Sequence, residues 1–348
     1  MSRNLAPLTA AAALLAGTAL ADAPAVAVDI APVHSLVARV MDGVGAPSLI
    51  VAPGATPHEY SLRPSEAAAL QGADLVFWVS ADLTPWLGDA IGTLATNAAV
   101  FELLETEGTT ELPVREGALF EVHAHENDDT AEHSEDHADH DDHDAEHTDD
   151  HAGDADDHAA GHDDHADDHA SDDAEHDHGD HDPHAWLSPD NASVWLDVIA
   201  RALSDADPEN AATYTANADA GQQELDSLRA EIDAILAPVR DAQFIVFHDA
   251  FQYFENAFDF PSSGAISVSD ATDPSPSRVA EIQARVAQQD VTCVLSEPQF
   301  NPGIMAAVMD GSPARSGVLD PLGSDLEPGA ALYPDMLRNL ATALADCL

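Results

Sequence analysis

Histidines are the residues of this sequence best suited to chemistry, and they fall into two groups. Fifteen of the nineteen lie between residues 123 and 181, and the other four are His34, His58, His184 and His248. Neutral imidazole is a preferred ligand of Zn²⁺, so histidines that the fold brings together predict a metal site. Taken alone, each isolated histidine is better explained as an ordinary surface or core residue than as a metal ligand.

Three of the isolated histidines stand where a predicted strand or loop ends. His58 lies in a loop after one predicted strand, His184 lies between an acidic tract and a helix, and His248 follows an apolar run that ends at Phe247. Ligands of α/β proteins bind beyond the carboxyl ends of strands, so a cleft between two sheets would gather these three side chains. His34 falls early on an apolar helix without a motif around it, and we interpret it as a surface or core residue.

The elements that must position these histidines alternate along the chain. Short apolar runs predict strands over residues 26–30, 48–51, 75–79, 100–102, 244–247, 265–268, 291–295 and 318–319, with helical patterns between them. Such alternation indicates βαβ units and parallel sheets. Apolar residues at spacings of three, four and seven predict one long helix from about Pro208 to Leu236, between the two sets of strands. The sequence therefore predicts two α/β lobes joined by a long helix.

Residues 121–182 form a low-complexity tract of His, Asp and Ala. The tract contains twenty-seven of the 65 acidic residues and no basic one. Its like charges repel and it has little apolar surface to bury, so we predict a disordered insertion within the first lobe. Its histidines have no fixed spacing, which predicts several weak, exchanging metal sites. Two interpretations stay open: auxiliary zinc capture, or a solvated acidic insert with incidental metal affinity.

The first residues predict export. Arg3 precedes an apolar run from Leu5 to Leu20, and the small residues around Ala21 form a cleavage site, as is typical of a signal peptide over residues 1–21. The alternative is a membrane anchor, but no basic stop-transfer segment follows the run. The only two cysteines, Cys293 and Cys347, favour a disulfide over a metal site in an oxidising compartment.

The overall charge narrows the classes of partner. The chain has a formal net charge of −54, with eleven basic residues, all of them arginine. Such a surface repels nucleic acid and anionic lipid, and it attracts cations. The same composition would also suit a protein from a salty habitat.

Several segments together resemble a known family, the zinc-binding components of ABC importers called the ZnuA family. The resemblance covers essentially the whole mature chain and includes the acidic insertion and the cysteine pair. Its segments are residues 53–65 (PGATPHEYSLRPS), 182–189 (DPHAWLSP), 247–255 (FHDAFQYFE), 296–300 (SEPQF) and 317–323 (GVLDPLG). No single segment would be specific, but all of them in this order are.

The resemblance implies two lobes, each with a four-stranded parallel sheet and surrounding helices, joined by one long rigid helix. It also implies one Zn²⁺ between the lobes, held by His58, His184 and His248. Related manganese binders carry a carboxylate where this chain has His248, so a histidine there favours zinc. Some zinc-binding members have an acidic residue where this chain has Pro57, so that candidate for the fourth ligand is missing here. An aspartate in the region of Asp320 closes the site in related metal binders, so the resemblance favours Asp320, with a water or a histidine of the tract as alternatives.

Two acidic residues adjoin the expected ligands. Glu59 follows His58, and Asp249 follows His248. Carboxylates that accept the N–H of a ligating imidazole fix its tautomer. Glu59 and Asp249 would either play this part or be exposed to solvent.

The resulting functional hypothesis is a monomeric periplasmic protein that captures Zn²⁺ and delivers it to the membrane permease of an ABC importer. Nucleic acid is not an expected partner. The expected organisation is a signal peptide (1–21), a first lobe (22–203, with the 121–182 insertion), a connecting helix (204–238) and a second lobe (239–348). One alternative is a binding protein of the same importer class for manganese or another divalent metal, and another is an extracellular zinc buffer or adhesin. A metalloenzyme is a third, although the chain lacks the HExxH and Gly-x-Ser-x-Gly motifs.

Overall fold

The computed structural model describes residues 23–115, 181–267, 275–288, 291–300 and 302–348. All of these residues belong to one compact unit. The predicted signal peptide and residues 121–180 of the tract lie outside the described residues. Within the described ranges, no helix has the length and apolar character that a membrane crossing requires.

The first sheet has four parallel strands in the order β2-β1-β3-β4. They are β1 (Val26–Val28), β2 (Ser48–Leu49), β3 (Leu75–Trp78) and β4 (Ala99–Glu102), connected by the helices α1 (Ala31–Val40), α2 (Pro64–Gln71) and α3 (Pro85–Leu94). Successive residues of β3 join different apolar clusters: Leu75 and Phe77 pack in one, Val76 and Trp78 in the other. The sheet is therefore covered on both faces, as parallel sheets require.

Two helices follow the first sheet, α4 (Pro189–Ala206) and α5 (Ala211–Leu236). They pack along each other, and Leu225, Leu228 and Ile232 of α5 are buried in the main core. At 1.5 Å per residue, α5 is about 39 Å long. The predicted long helix is confirmed, but it begins at Ala211 and not at Pro208. The carboxylate of Asp207 accepts a hydrogen bond from the Tyr214 hydroxyl (2.9 Å) and holds the turn that precedes the helix.

The second sheet repeats the order of the first, as β6-β5-β7-β8, again with all strands parallel. Its strands are β5 (Phe244–His248), β6 (Ala265–Ser267), β7 (Cys293–Ser296) and β8 (Arg315–Val318), and its helices are α6 (Gln252–Phe258), α7 (Pro276–Gln288), α8 (Pro302–Met309) and α9 (Leu332–Cys347). The prediction of two α/β lobes with four-stranded parallel sheets is confirmed.

The predicted strands correspond to the observed ones, and the largest shift is in the last. The prediction gave 318–319, whereas β8 covers Arg315–Val318. β8 lies at the edge of its sheet and is mostly exposed, so its sequence lacks the apolar run by which the other strands were recognised. Leu319 still continues the ladder, because its N–H donates to Ser296 O at 2.8 Å.

Helix α9 ties the second sheet to the rest of the core. Cys347 at its end forms a disulfide with Cys293 of β7, as the cysteine count predicted. At its start, the Tyr333 hydroxyl donates to Trp186 O at 2.7 Å, and the Tyr333 N–H donates to the hydroxyl of Ser35 on α1 at 2.9 Å. Helix α9 is therefore bonded to elements of both lobes.

Candidate metal centre

His248 is positioned by the middle strands of the second sheet. It ends β5, and its Nδ1 lies 2.7 Å from Oε1 of Glu297, which directly follows the neighbouring strand β7. Gln299 donates to the other Glu297 oxygen at 3.0 Å, and both His248 and Glu297 are 3 % exposed. The chain leaves β5 for β6 on one side and β7 lies on the other, so this pair occupies a topological switch point.

His184 is positioned by the segment that leads into α4. Its Nδ1 lies 2.7 Å from Oδ1 of Asp182, and the same oxygen accepts the His184 backbone N–H at 3.0 Å. A short 3₁₀ turn, Ala185–Leu187, follows, and the Trp186 indole N–H donates to Pro321 O at 2.8 Å. The bond to Asp182 orients the imidazole, and the bond from Trp186 to Pro321 fixes the turn that follows it.

His58 is positioned by the loop between β2 and α2. The Trp86 indole N–H donates to Pro57 O at 2.7 Å, directly before the histidine. After it, the Tyr60 hydroxyl donates to Glu66 on α2 at 2.8 Å, and the Tyr60 and Trp86 rings lie 5.6 Å apart. Side chains from α2 and α3 therefore hold the loop on either side of His58.

The three histidines converge on one point. One ring nitrogen from each of His58, His184 and His248 can be chosen so that all lie within 4.8 Å of one another, and no other group of three or more His, Cys, Asp or Glu in the described ranges meets that condition. The Nε2 atoms of His184 and His248 are 3.3 Å apart. Two nitrogens bound tetrahedrally to one zinc at about 2.0–2.1 Å are separated by about 3.3 Å.

The carboxylates of Asp182 and Glu297 determine which ring nitrogen of His184 and His248 carries the free lone pair. A carboxylate that accepts an Nδ1–H leaves the lone pair of that imidazole on Nε2, the atom that faces the other histidine. Burial raises the pKa of Asp182 to about 7, although the His184 N–H and nearby positive charge lower it. Facing lone pairs, with buried carboxyl groups behind them, are an arrangement that a divalent cation stabilises.

Asp320, the predicted fourth ligand, lies outside this group of ligand atoms. Its Oδ1 accepts the N–H groups of Leu322 (3.1 Å) and Gly323 (3.0 Å), and its Oδ2 accepts the N–H and hydroxyl of Ser324 (both 2.6 Å). These are the contacts of a side chain that closes a turn. Metal ligation by Asp320 stays a prediction.

The acidic residues that contact the histidines differ from those that the sequence suggested. Glu59 is exposed, and Asp249 is paired with Arg115. Asp182 and Glu297 bind the imidazoles instead. Each lies in a segment that carried the family resemblance, and Glu297 stands just after the strand predicted at 291–295, so its place at a strand end was the available signal.

His34 lies apart from the metal-binding group. It is 8 % exposed on α1, and its Nε2 is 3.2 Å from Pro47 O. Burial lowers its pKa, and the contact with Pro47 raises it by a smaller amount. The neutral form is therefore favoured, as expected for a histidine of the core.

Comparison with known proteins gives one family. The model of ZnuA, described as zinc-uptake complex component A, periplasmic, matches residues 26–347. The chain is similar to the high-affinity zinc uptake system protein ZnuA of Brucella abortus (strain 2308), with 44 % identity over 355 residues and 99 % of both chains covered. It is also 43 % identical to the ZnuA of Paracoccus denitrificans, with 98 % of this chain and 97 % of the relative covered.

A solved structure agrees on the fold. A crystal structure of ZnuA superposes with a TM-score of 0.67 at 22 % identity, covering 94 % of this chain and 99 % of the other. The family description names a component of an uptake complex and not an enzyme. The chain belongs to the ZnuA family.

Proposed function

We propose that this protein captures Zn²⁺ in the periplasm, between its two lobes, and delivers the ion to the membrane permease of an ABC importer. The observation that carries the proposal is the convergence of His58, His184 and His248 within 4.8 Å. The periplasmic zinc-uptake relatives support the compartment and the task. The signal peptide predicted at residues 1–21 supplies the route of export.

The donor set favours zinc over manganese. Three imidazoles suit Zn²⁺, whereas Mn²⁺ prefers more carboxylate oxygen. In this proposal the buried carboxylates act through the histidines: Asp182 and Glu297 orient His184 and His248 from their Nδ1 sides. Asp320 or a water completes the tetrahedron.

The tract enters the proposal as an auxiliary feature. Fifteen histidines among so many carboxylates would raise the local concentration of zinc before it reaches the three-histidine site. A deletion of residues 122–177 keeps both described ends of the insertion and removes most of these histidines. Uptake under zinc scarcity should then fall; unchanged uptake and unchanged zinc stoichiometry would contradict this part of the proposal.

Zinc binding is tested by competitive titration of the mature chain against a chelator strong enough to empty the tract. One zinc per chain should remain tightly bound, and it should be lost in His58→Ala, His184→Ala or His248→Ala. His181→Ala is a matched control, since His181 is half exposed and outside the group. Tight zinc that survives all three changes would refute the proposal.

Delivery is tested in cells that lack the chromosomal copy of this gene. The wild-type chain should restore growth and ⁶⁵Zn accumulation in zinc-depleted medium, and His248→Ala should not. A His181→Ala chain should restore both. If His248→Ala supports uptake as well as the wild type, the three-histidine site does not serve transport.

A further inference from the structure

The two described ends of the insertion meet beside the metal centre. Pro113 and His181 form an isolated antiparallel bridge, and the Asp182 N–H donates to Leu112 O at 2.8 Å. Asp182 is also the residue whose carboxylate binds His184. The two described ends of the insertion are therefore joined at Asp182, the residue that orients the predicted ligand His184.

Both ends rest on α6 of the second lobe. The buried Tyr253 hydroxyl accepts the Leu112 N–H and donates to Asp182 O, both at 2.9 Å. With its amide nitrogen turned toward the acceptors, Gln252 donates to Asp182 Oδ2 and to Pro113 O, both at 3.1 Å. Two adjacent residues of one helix thus bind both ends at once.

Arg115 completes this contact with a charged clamp. Its Nε lies 3.0 Å from each carboxylate oxygen of Asp249, its Nη2 also contacts Asp249, and its Nη1 lies 2.7 Å from Oε2 of Glu255. The side chains of Asp249 and Glu255 are only 6 % and 5 % exposed. Buried carboxylates are tolerated when a well-placed counter-charge binds them, and a planar guanidinium can bind two at once.

The geometry points to Arg115 as a positioning residue of the metal centre, an inference that rests on the proposed function. Asp249 directly follows His248, and Asp182 lies two residues before His184. Arg115 binds Asp249 and belongs to the short segment that Asp182 binds at Leu112. It therefore fixes the separation of two ligand-bearing segments that come from different lobes.

The inference predicts a change in metal affinity without the loss of a ligand. Without the guanidinium, Asp249 and Glu255 become unpaired buried carboxylates and turn toward water. The backbone at His248 then shifts with Asp249, and small displacements of supporting groups weaken metal binding by about tenfold to a hundredfold. Arg115→Lys keeps one charge but cannot bind both carboxylates as a planar fork, so its affinity should lie between Arg115→Met and wild type.

The experiment measures the zinc dissociation constant by chelator competition, and the unfolding free energy of the metal-free protein, for each full mature chain. Arg115→Met should raise the dissociation constant at least about tenfold. Arg240→Met is the control: Arg240 donates to Phe258 O (2.7 Å) at the far end of α6 and pairs with Asp233. It should lower stability while the dissociation constant stays within about twofold.

A charge-neutral variant keeps the test informative if Arg115→Met does not fold. Arg115→Met combined with Asp249→Asn and Glu255→Gln removes the unpaired charges but not the loss of positioning, so its affinity should stay below wild type. An unchanged dissociation constant in this variant and in Arg115→Lys would overturn the inference. Wild type and His248→Ala are measured alongside: if wild type does not bind zinc tightly, or His248→Ala still does, the proposed function itself fails.

Discussion

The two sheets have the same strand order, but they carry different side chains at the ends of their central strands. The central strands of the first sheet last pair at Val28–Phe77, and those of the second at Val246–Leu295. Two residues beyond these pairs stand Ile30 and Val79 in the first sheet, and His248 and Glu297 in the second. In the second sheet those side chains bind each other at 2.7 Å.

In the first sheet a structural carboxylate closes the same place. Asp29 is fully buried, and its two oxygens accept the N–H groups of Ile30 and Val79, each at 2.7 Å. The strand order therefore provides a polar position between the central strands but does not determine its use. The residues that follow the last pair determine that use: in the first sheet Asp29 binds the backbone of both central strands, and in the second sheet His248 and Glu297 bind each other at the candidate metal centre.

The largest expected effect separates these two positions directly. His248→Ala should weaken zinc binding by about a thousandfold, because a site worth roughly 10–16 kcal/mol loses one of three or four ligands. Ile30→Ala, its counterpart in the first sheet, should lower the unfolding free energy by about 2–4 kcal/mol and leave the affinity intact. Chelator competition and urea denaturation measure the two quantities; a Kd for His248→Ala within tenfold of wild type would break the comparison.

The disulfide gives the second difference between the lobes. Both cysteines lie in the second lobe and their bond closes a separation of 54 residues. Replacing both by serine should lower the unfolding free energy by about 4 kcal/mol at most on the chain-entropy model, with a small change in zinc affinity. Denaturation of the oxidised, reduced and serine proteins measures this, and equal stabilities would show that the bond does not support the second sheet.

The carboxylates at the two switch points should differ in their effect on metal. Glu297→Gln keeps an acceptor for the Nδ1–H of His248 but removes the charge, and the zinc dissociation constant should rise by about tenfold to a hundredfold. Asp29→Asn is the matched control and should leave that constant unchanged. If both variants weaken zinc binding, or neither does, the difference proposed between Glu297 and Asp29 is wrong.

The smallest effect concerns pH. Burial raises the pKa of Asp29 to about 7, against the lowering effect of the Val79 and Ile30 N–H groups. An acid with a raised folded pKa contributes stability that is present near pH 4 and lost as the pH rises through 7. Asparagine does not titrate, so the stability difference between wild type and Asp29→Asn should shift against wild type by at most about 1.4 kcal/mol per pH unit from pH 5 to 7.

Urea denaturation at several pH values checks this slope. Titration of other groups appears in both proteins and cancels in the difference. A difference that is flat with pH would mean that Asp29 is ionised throughout, held by its two N–H donors.

Much of the fold follows from local patterns. The eight strands, the long helix and the disulfide were predicted, because apolar runs, helical spacing and cysteine number act over short stretches of chain. Helix α9 has no counterpart among the predicted elements, although Leu332, Met336, Leu337, Leu340 and Leu344 recur at helical spacing and are buried. Ala331, the residue before its first turn, provides no side-chain cap, so the usual signal of a helix beginning was missing.

The supports of the candidate site could not be predicted in the same way. Arg115 and Asp249 are 134 residues apart in sequence, and His248 and Glu297 are 49 apart. Arg115 and Asp249 meet only when the segment around Arg115 packs on the second lobe, and His248 and Glu297 meet only when β5 and β7 pair. No periodicity of a single segment encodes either contact. Proximity in sequence instead favoured Glu59 and Asp249, which directly follow His58 and His248. In the structure Glu59 is exposed and Asp249 is paired with Arg115.

The most direct test of the central claim is a crystal structure of the zinc-loaded mature protein, with anomalous differences recorded on both sides of the zinc absorption edge. We expect one strong peak about 2.0–2.1 Å from one ring nitrogen of each of His58, His184 and His248. Asp182 and Glu297 should remain on the Nδ1 atoms of His184 and His248. A principal zinc peak that lacks any of these three histidines among its ligands would show that they do not form the zinc site.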